Sequence, residues 1–312
     1  MEKSMKAVVI DSFGPAENMK VRQMPVPECG KDQMLVRVHA AGVNIVDAVV
    51  RSGMFTKLND KLPKIPGADV AGEVEEIGAD VKGYKKGDRV MGTVSPWEGG
   101  AYAEYAVINP ERFYFMPSNV SFVEAGGVPI AAVTALQSLE KAGPELNGRD
   151  VLVIGASGGV GTFAVQAARA MGARVTAVCS SANRAMVSSL GAQDVIEYDK
   201  TDYRQSGRKF DAIVDYIANA TVDEIVKLLK PEGKYATAML NRAMPKEGPL
   251  ASRFTSFMVD MNSKSLKWLK ENMETGKIKT VVDRVFTMEQ AVEAHKYVEA
   301  KHTKGKVVLK IA

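Results

Sequence analysis

Only two cysteines, Cys29 and Cys179, and three histidines, His39, His295 and His302, occur among the 312 residues. Two thiols cannot build a disulfide framework, and they fit a reducing compartment. The histidines are far apart and show no metal-ligand spacing. No apolar run approaches membrane-spanning length, and the opening MEKSMKAVVIDSFG has no long apolar core of the kind that directs secretion, so a cytoplasmic protein is expected. An excess of one sign of charge is lacking too. The net charge of +4 is spread over 41 basic and 37 acidic residues, which leaves no basic stripe for nucleic acid and no membrane-binding face. Sixteen methionines are scattered along the chain as packing material, not grouped as a metal-binding set.

What is present centres on VLVIGASGGVG, Val151 to Gly161. Val151 to Ile154 read as a strand buried on both faces, as parallel strands under helices are. Gly155 allows a sharp turn, Gly158 and Gly159 remove side chains where backbone must approach a ligand, and Gly161 permits close contact between the next helix and the strand. Free N–H groups of that helix, with Ser157 and Val160 in its first turn, then face a pyrophosphate. Small and apolar residues from Phe163 to Met171 continue as a helix, Gly172 stops it, and Arg174 to Cys179 form a second strand, completing a β-α-β unit.

In proteins that prefer NAD, an acid about twenty residues beyond the glycines accepts the ribose 2′-hydroxyl and repels a 2′-phosphate. No Asp or Glu lies between Gly161 and Asp194. The second strand runs instead into Ser180, Ser181 and Arg184: two hydroxyls and a guanidinium that suit a phosphate. NADPH is therefore the expected cofactor. The competing reading of Arg184 is a solvated helix residue.

Before residue 120 the chain alternates short strands with Gly and Pro turns, as in a small antiparallel barrel. After it, six strands (VLVIG, RVTAVCS, DVIEYD, AIVDY, KYATAM and FTSFMV) alternate with helical segments, as in a doubly wound parallel sheet. The tail, VVDRVF, MEQAVEAHKYVEA and KVVLKI, is expected to return to the first domain. The expected division is 1–118 with 281–312, and 119–280, with the cofactor in the cleft between them.

The blocks AAGVNIVDAVVRSG (Ala40 to Gly53), IPGADVAGEVEEIG (Ile65 to Gly78), KKGDRVMG (Lys85 to Gly92), GGAYAEYAV (Gly99 to Val107), AAVTALQSL (Ala131 to Leu139), GASGGVG, LGAQDVIEYDK (Leu190 to Lys200) and GKIKTVVDRVFTMEQAVEAHKYVEAKHTKGKVVL run nearly end to end. Together they resemble the medium-chain dehydrogenase/reductase superfamily, in its zinc-independent quinone oxidoreductase and alkenal reductase branch. The resemblance implies an α/β architecture: a Rossmann-type doubly wound sheet plus a GroES-like β-barrel domain. Zinc-dependent relatives bind a catalytic metal through a Cys, a Gly-His-Glu segment and a distant Cys or Asp. Here Gly67, Ala68 and Asp69 stand in the Gly-His-Glu position, and the four-cysteine structural lobe is missing. A solvated or capping role is expected for His295 and His302.

Without a Lewis acid to stabilise an alkoxide, the expected acceptors carry their own electron sink: quinones and α,β-unsaturated carbonyls, reduced by NADPH. The resemblance implies that Asn44 faces the acceptor carbonyl, that the Thr134 hydroxyl holds the nicotinamide carboxamide, and that Tyr198, or Lys200, adds to the Arg184 phosphate site. Asn44, Asp47 and Thr134 form the candidate catalytic set. The competing readings are a turn asparagine at 44, a threonine bonded to its own helix at 134, and an ordinary surface pair between Asp47 and Arg51, the last preferred for Arg51. No acid-base dyad or proton donor is legible, and orientation alone supplies roughly 7 to 11 kcal/mol in favourable cases. Phe55, Trp97 and Met239 to Met244 are candidates for an apolar substrate wall. Cys29 is a redox candidate or an inert turn residue. The same fold also admits another reductase activity, on a ketone, a disulfide or another electron acceptor, or a non-catalytic NADPH-binding sensor. The partner is a small-molecule acceptor, not nucleic acid or membrane, and an edge strand at Phe254 to Val259 suggests a homodimer.

Overall fold

The computed structural model describes residues 3–54, 61–143, 145–239, 244–245 and 247–312. In chain order the elements are β1 (Ser4–Ile10), β2 (Met19–Pro25), β3 (Met34–Val43), α1 (Ile45–Ser52), β4 (Asp69–Ile77), β5 (Arg89–Thr93), β6 (Tyr105–Ile108), β7 (Phe113–Phe115), α2 (Phe122–Gly126) and α3 (Pro129–Ala142). They continue with β8 (Asp150–Ile154), α4 (Gly159–Ala170), β9 (Arg174–Cys179), α5 (Arg184–Ser189), β10 (Asp194–Glu197), β11 (Phe210–Asp215), α6 (Val222–Leu228), β12 (Leu229–Thr237), β13 (Phe254–Ser256), α7 (Ser263–Glu274), β14 (Val282–Thr287), α8 (Ala291–Glu299) and β15 (Lys306–Lys310).

Two compact units result, one comprising Met1–Ala131, Met261–Glu274 and Thr280–Ala312, the other Ala132–Asp260 and Thr275–Lys279. The first unit runs past residue 118 because Asp69 on β4 accepts the backbone N–H of Ile130 at 2.9 Å. It includes α7 because Asn119 and Ser118 bond the end of that helix at Met273 and Glu274.

In the first unit β1 and β2 pair antiparallel, and a second sheet of seven strands has the order β14-β15-β3-β4-β5-β7, with β6 also on β3. The tail strand β15 lies inside this sheet, antiparallel to β3, with β14 parallel on its other side. Alternating apolar residues such as Val36, Val38, Val70, Val90, Val307 and Leu309 close the core against Met288, Ala291 and Ala294. Turning these faces from water is the main stabilising term of the unit.

The second unit is a six-stranded sheet, all of its pairings parallel, in the order β10-β9-β8-β11-β12-β13. The chain winds outward from β8 in both directions, the arrangement of a dinucleotide-binding sheet. Strand β8 is central, and Val151 to Ile154 are all buried, which explains its uninterrupted apolar run. The edge strand is shorter than the six residues from Phe254 to Val259 expected from sequence: β13 stops at Ser256. The Gln137 amide captures the chain beyond it, donating to the Asp260 carbonyl at 2.6 Å and accepting its N–H at 3.0 Å. Backbone groups held by a side chain are withdrawn from strand pairing.

Candidate functional site

In the second unit, Gly155 ends β8 with φ of 79°, a left-handed turn that favours glycine. Helix α4 starts at Gly159 behind Gly158, which provides no side-chain cap. The first-turn N–H groups therefore lack intrahelical acceptors and point outward at the carboxyl end of the central strand. Gly161 serves space: a Cβ there would fall 2.1 Å from the Gly155 carbonyl oxygen and 2.7 Å from the Ala156 Cα. Gly161→Ala is expected to cost about 1–3 kcal/mol through overpacking against backbone that cannot swing away. Amide exchange along β8 and α4 reads this, and unchanged protection would show that the helix can shift freely.

Ser157 is tied to the next strand's end, its hydroxyl accepting the Asn183 side-chain N–H at 3.1 Å. Beyond β9, Ser180 precedes a short turn and Arg184 opens α5. Arg184 does not stand alone: its Nη1 donates to Glu197 at 2.8 Å, and Lys200 Nζ bonds the other oxygen of Glu197 at 2.5 Å. Asp199 accepts both the Ser181 backbone N–H at 2.8 Å and its hydroxyl at 2.6 Å. Bonds from Lys200 and then Arg184 hold the Glu197 carboxyl below its usual range, and Ser181 does the same for Asp199. Tyr198 stands between them with an exposed ring, its N–H held by the Cys179 carbonyl. The acid-free stretch after Gly161 is thus not acid-free in space. Parallel register sets Glu197 beside Cys179, so two carboxylates of the β10 end meet the residues leaving β9. Burial first, then these carboxylates, pushes the Cys179 thiol up to about 11.

Thr134 is buried in α3, with its carbonyl accepting the Ser138 hydroxyl at 2.7 Å. Cys29 is half-buried, its thiol directed to the Gln33 carbonyl at 3.3 Å, and burial raises its pKa. Both features work against a reactive thiolate. Phe55 and residues 240–243 of the expected apolar wall lie outside the described residues. Lys64 Nζ donates to the Trp97 carbonyl at 2.6 Å.

The first unit holds the denser cluster. Asn44 precedes α1, and its backbone N–H is accepted by Asp47 Oδ2 at 2.8 Å. Its side-chain amide is fixed from both ends: Nδ2 donates to Asp69 Oδ2 at 2.9 Å, and Lys306 Nζ donates to Oδ1 at 2.5 Å. Lys306 and Asp69 lie 3.9 Å apart, both buried. Burial lowers the Lys306 pKa and raises that of Asp69, and the attraction between them opposes both shifts. Asp47 Oδ2 also accepts the Tyr102 hydroxyl at 3.1 Å, and His295 Nε2 meets that hydroxyl at 3.3 Å. Gly67 makes room for this ring: its φ is 88°, and a Cβ would lie 2.2 Å from Tyr102.

Two sequence expectations fail here. Asp47 and Arg51 are not a surface pair, since both are 2% exposed and Arg51 turns away to Glu299 at 2.6 Å and the Gly14 carbonyl at 3.0 Å. His295 is not solvated; it is fully buried edge-on to Tyr102, and burial, then the Arg51 charge, depresses its pKa to about 3. Burial likewise pushes Asp47 up to about 7. Asp47 Oδ1, Arg51 Nε and His295 Nδ1 have no partner among the described residues. Lys306 and Tyr102 escaped the sequence reading. The available signal was a lysine opening an otherwise apolar strand.

Among the described residues no group of three or more His, Cys, Asp or Glu could hold a metal ion, and no helix is long and apolar enough to cross a membrane. Residues 30–118 match the family model of the alcohol dehydrogenase GroES-like domain, and 190–309 that of zinc-binding dehydrogenase. The chain is 36% identical over 327 residues to a chloroplastic quinone oxidoreductase of Triphysaria versicolor, covering 98% of each. It is 35% identical to a chloroplastic NADPH-dependent alkenal/one oxidoreductase of Arabidopsis thaliana, covering 98% of this chain and 80% of the relative. The structure of the quinone oxidoreductase from Coxiella burnetii superposes with a TM-score of 0.88 at 32% identity, covering 99% of this chain and 100% of that one. With a GroES-like unit and a parallel dinucleotide-binding sheet built from such residues, this chain belongs to the medium-chain dehydrogenase/reductase superfamily, among the quinone and alkenal/one oxidoreductases.

Proposed function

We propose that the protein is an NADPH-dependent reductase that delivers hydride to a quinone or an α,β-unsaturated carbonyl without a catalytic metal. The observation that carries this reading is the group around Asn44: one ammonium and two carboxylates are each hydrogen-bonded to Asn44, where a metal site would need its ligands turned to the ion. An acceptor that delocalises the arriving electron pair into an enolate or a phenolate needs orientation and a hydrogen bond more than a Lewis acid.

NADPH supplies the hydride when bound. The uncapped α4 N-terminus and the crowding at Gly161 fit its pyrophosphate, with Gly155, Ser157, Gly158, Gly159, Val160 and Gly161 as the cradle. Ser180, Ser181, Arg184 and Tyr198 are assigned to the adenosine 2′-phosphate, and Thr134 to the carboxamide. Asn44 spends one amide N–H on Asp69, and its second serves the acceptor carbonyl. Asp69 and Lys306 position that amide, and Asp47 holds its backbone. Water supplies the proton that completes enone reduction.

NADPH oxidation with a quinone and with an enal such as acrolein is expected to proceed at a rate insensitive to chelators, with a KM for NADPH well below that for NADH. Turnover of neither acceptor, with a secondary alcohol oxidised instead, would refute the reaction; equal KM values would refute the cofactor preference. Pairing of two chains through β13 remains part of the proposal, and a light-scattering mass of 33.7 kDa would remove it.

A further inference from the structure

The residues assigned to the 2′-phosphate are already engaged. Arg184 and Lys200 each hold one oxygen of Glu197, and Ser181 gives both its N–H and its hydroxyl to Asp199. Two cations and two anions leave this patch with no net charge. A phosphate dianion would meet cations already paired with Glu197 and carboxylates that repel it. A ribose 2′-hydroxyl faces the reverse situation, because it can donate to Asp199 much as Ser181 does.

We propose that Glu197 and Asp199 set the coenzyme preference by competing with the 2′-phosphate for Arg184, Lys200 and Ser181. The inference rests on the NADPH reading above and deepens it: the positive groups allow the phosphate, and the carboxylates set how strongly NADPH is preferred over NADH. The competition is built into the topology. Glu197 ends β10 in register with Cys179 at the end of β9, so the acids and the phosphate-binding residues leave the sheet at the same edge. Glu197 is the stronger of the two competitors: its carboxylate is mostly covered, with 11% side-chain exposure, while Arg184 and Lys200 remain accessible at 56% and 65%. The cations can therefore turn to an incoming phosphate while Glu197 stays in place beneath them.

The test is binding, independent of turnover. Calorimetric titrations of NADPH and NADH are made on the parent, Glu197→Gln, Asp199→Asn and Arg184→Ala, with adenosine 2′,5′-bisphosphate and 5′-AMP as probes of the adenosine end alone. Glu197→Gln keeps the shape and removes the charge, so NADPH and the bisphosphate are expected to bind about tenfold tighter, the worth of one charge-assisted contact no longer contested, with NADH and 5′-AMP within about twofold. Asp199→Asn is expected to weaken NADH as it strengthens NADPH. Arg184→Ala is expected to weaken NADPH and the bisphosphate alone. A parent that prefers NADPH, with the same NADPH to NADH ratio in Glu197→Gln and Asp199→Asn, overturns the inference and leaves the NADPH reading intact. A parent that binds NADH as tightly as NADPH, with no response to Arg184→Ala, overturns both.

Discussion

Replacing Lys306 with Met is expected to destabilise the first unit by about 3–5 kcal/mol at neutral pH, the cost of removing one partner of a buried ion pair. Asp69 is fully buried, and it would keep only the bonds from the Asn44 amide and the Ile130 N–H. Asn44 would lose the cation that fixes its Oδ1. The loss has a pH signature. Without Lys306, burial raises the Asp69 pKa further, so the fold holds a proton that the unfolded chain releases, and the penalty shrinks as pH falls. Combining Lys306→Met with Asp69→Asn is expected to restore most of the stability, because no buried charge is left unpaired. Both tryptophans, Trp97 and Trp268, belong to the first unit, so tryptophan fluorescence in urea follows this unit specifically. A single variant within 1 kcal/mol of the parent would show that the pair is already neutral or reached by water.

Asp47→Asn is expected to change how stability depends on pH. Asp47 titrates near 7 in the fold against an ordinary 3.8, so the folded protein retains a proton that the unfolded chain has lost. Its contribution is full below about pH 4 and is lost as pH rises to about 7. A rise of about three units corresponds to about 4 kcal/mol. His295 works in the opposite direction. It titrates near 3 against an ordinary 6.5, so the unfolded chain takes up a proton that the fold refuses, and stability falls as pH drops from about 6.5 towards 3. In the parent the two slopes offset each other between about pH 4 and 6.5. Asp47→Asn leaves His295 unopposed, and the denaturation midpoint should then fall steeply on acidification. Parallel midpoint curves for parent and variant would remove this account.

The two sites differ in what the sequence reveals of them. The turn from Gly155 to Gly161 is legible because its demands are local: a left-handed residue, a helix start and a backbone within 2.1 Å of where a Cβ would be. That the second sheet is parallel follows from alternating strands and helices in the same way. The cluster at Asn44 is legible only in Asn44 and Asp47, because the partner Lys306 lies 262 residues away and a lysine is ordinarily read as exposed. Burial of Arg51 and His295 escaped for a related reason: Arg51 reads as half of a surface pair and His295 as a solvated residue until Arg51 is joined to Glu299. The acid-free stretch after Gly161 is incomplete in a third way. Distance along one strand cannot count a carboxylate supplied by its neighbour, and Glu197 and Asp199 come from the next strand in register.

The place of β15 inside the first sheet has a consequence for how the protein is made. Val308 pairs with Gly42 and Leu309 with Ala41, so this sheet lacks an interior strand until residues 306–310 have been synthesised. At about 5–20 residues per second, β3 and β4 would wait on the order of ten seconds or more after their own synthesis for that partner. The dinucleotide-binding sheet needs nothing beyond Lys279 and can form while the tail is still emerging. During that interval the edge of β3 from Ala40 to Val43 lies open to other chains, an aggregation hazard that ends only when Lys306 enters and brings the buried charge for Asp69 with it.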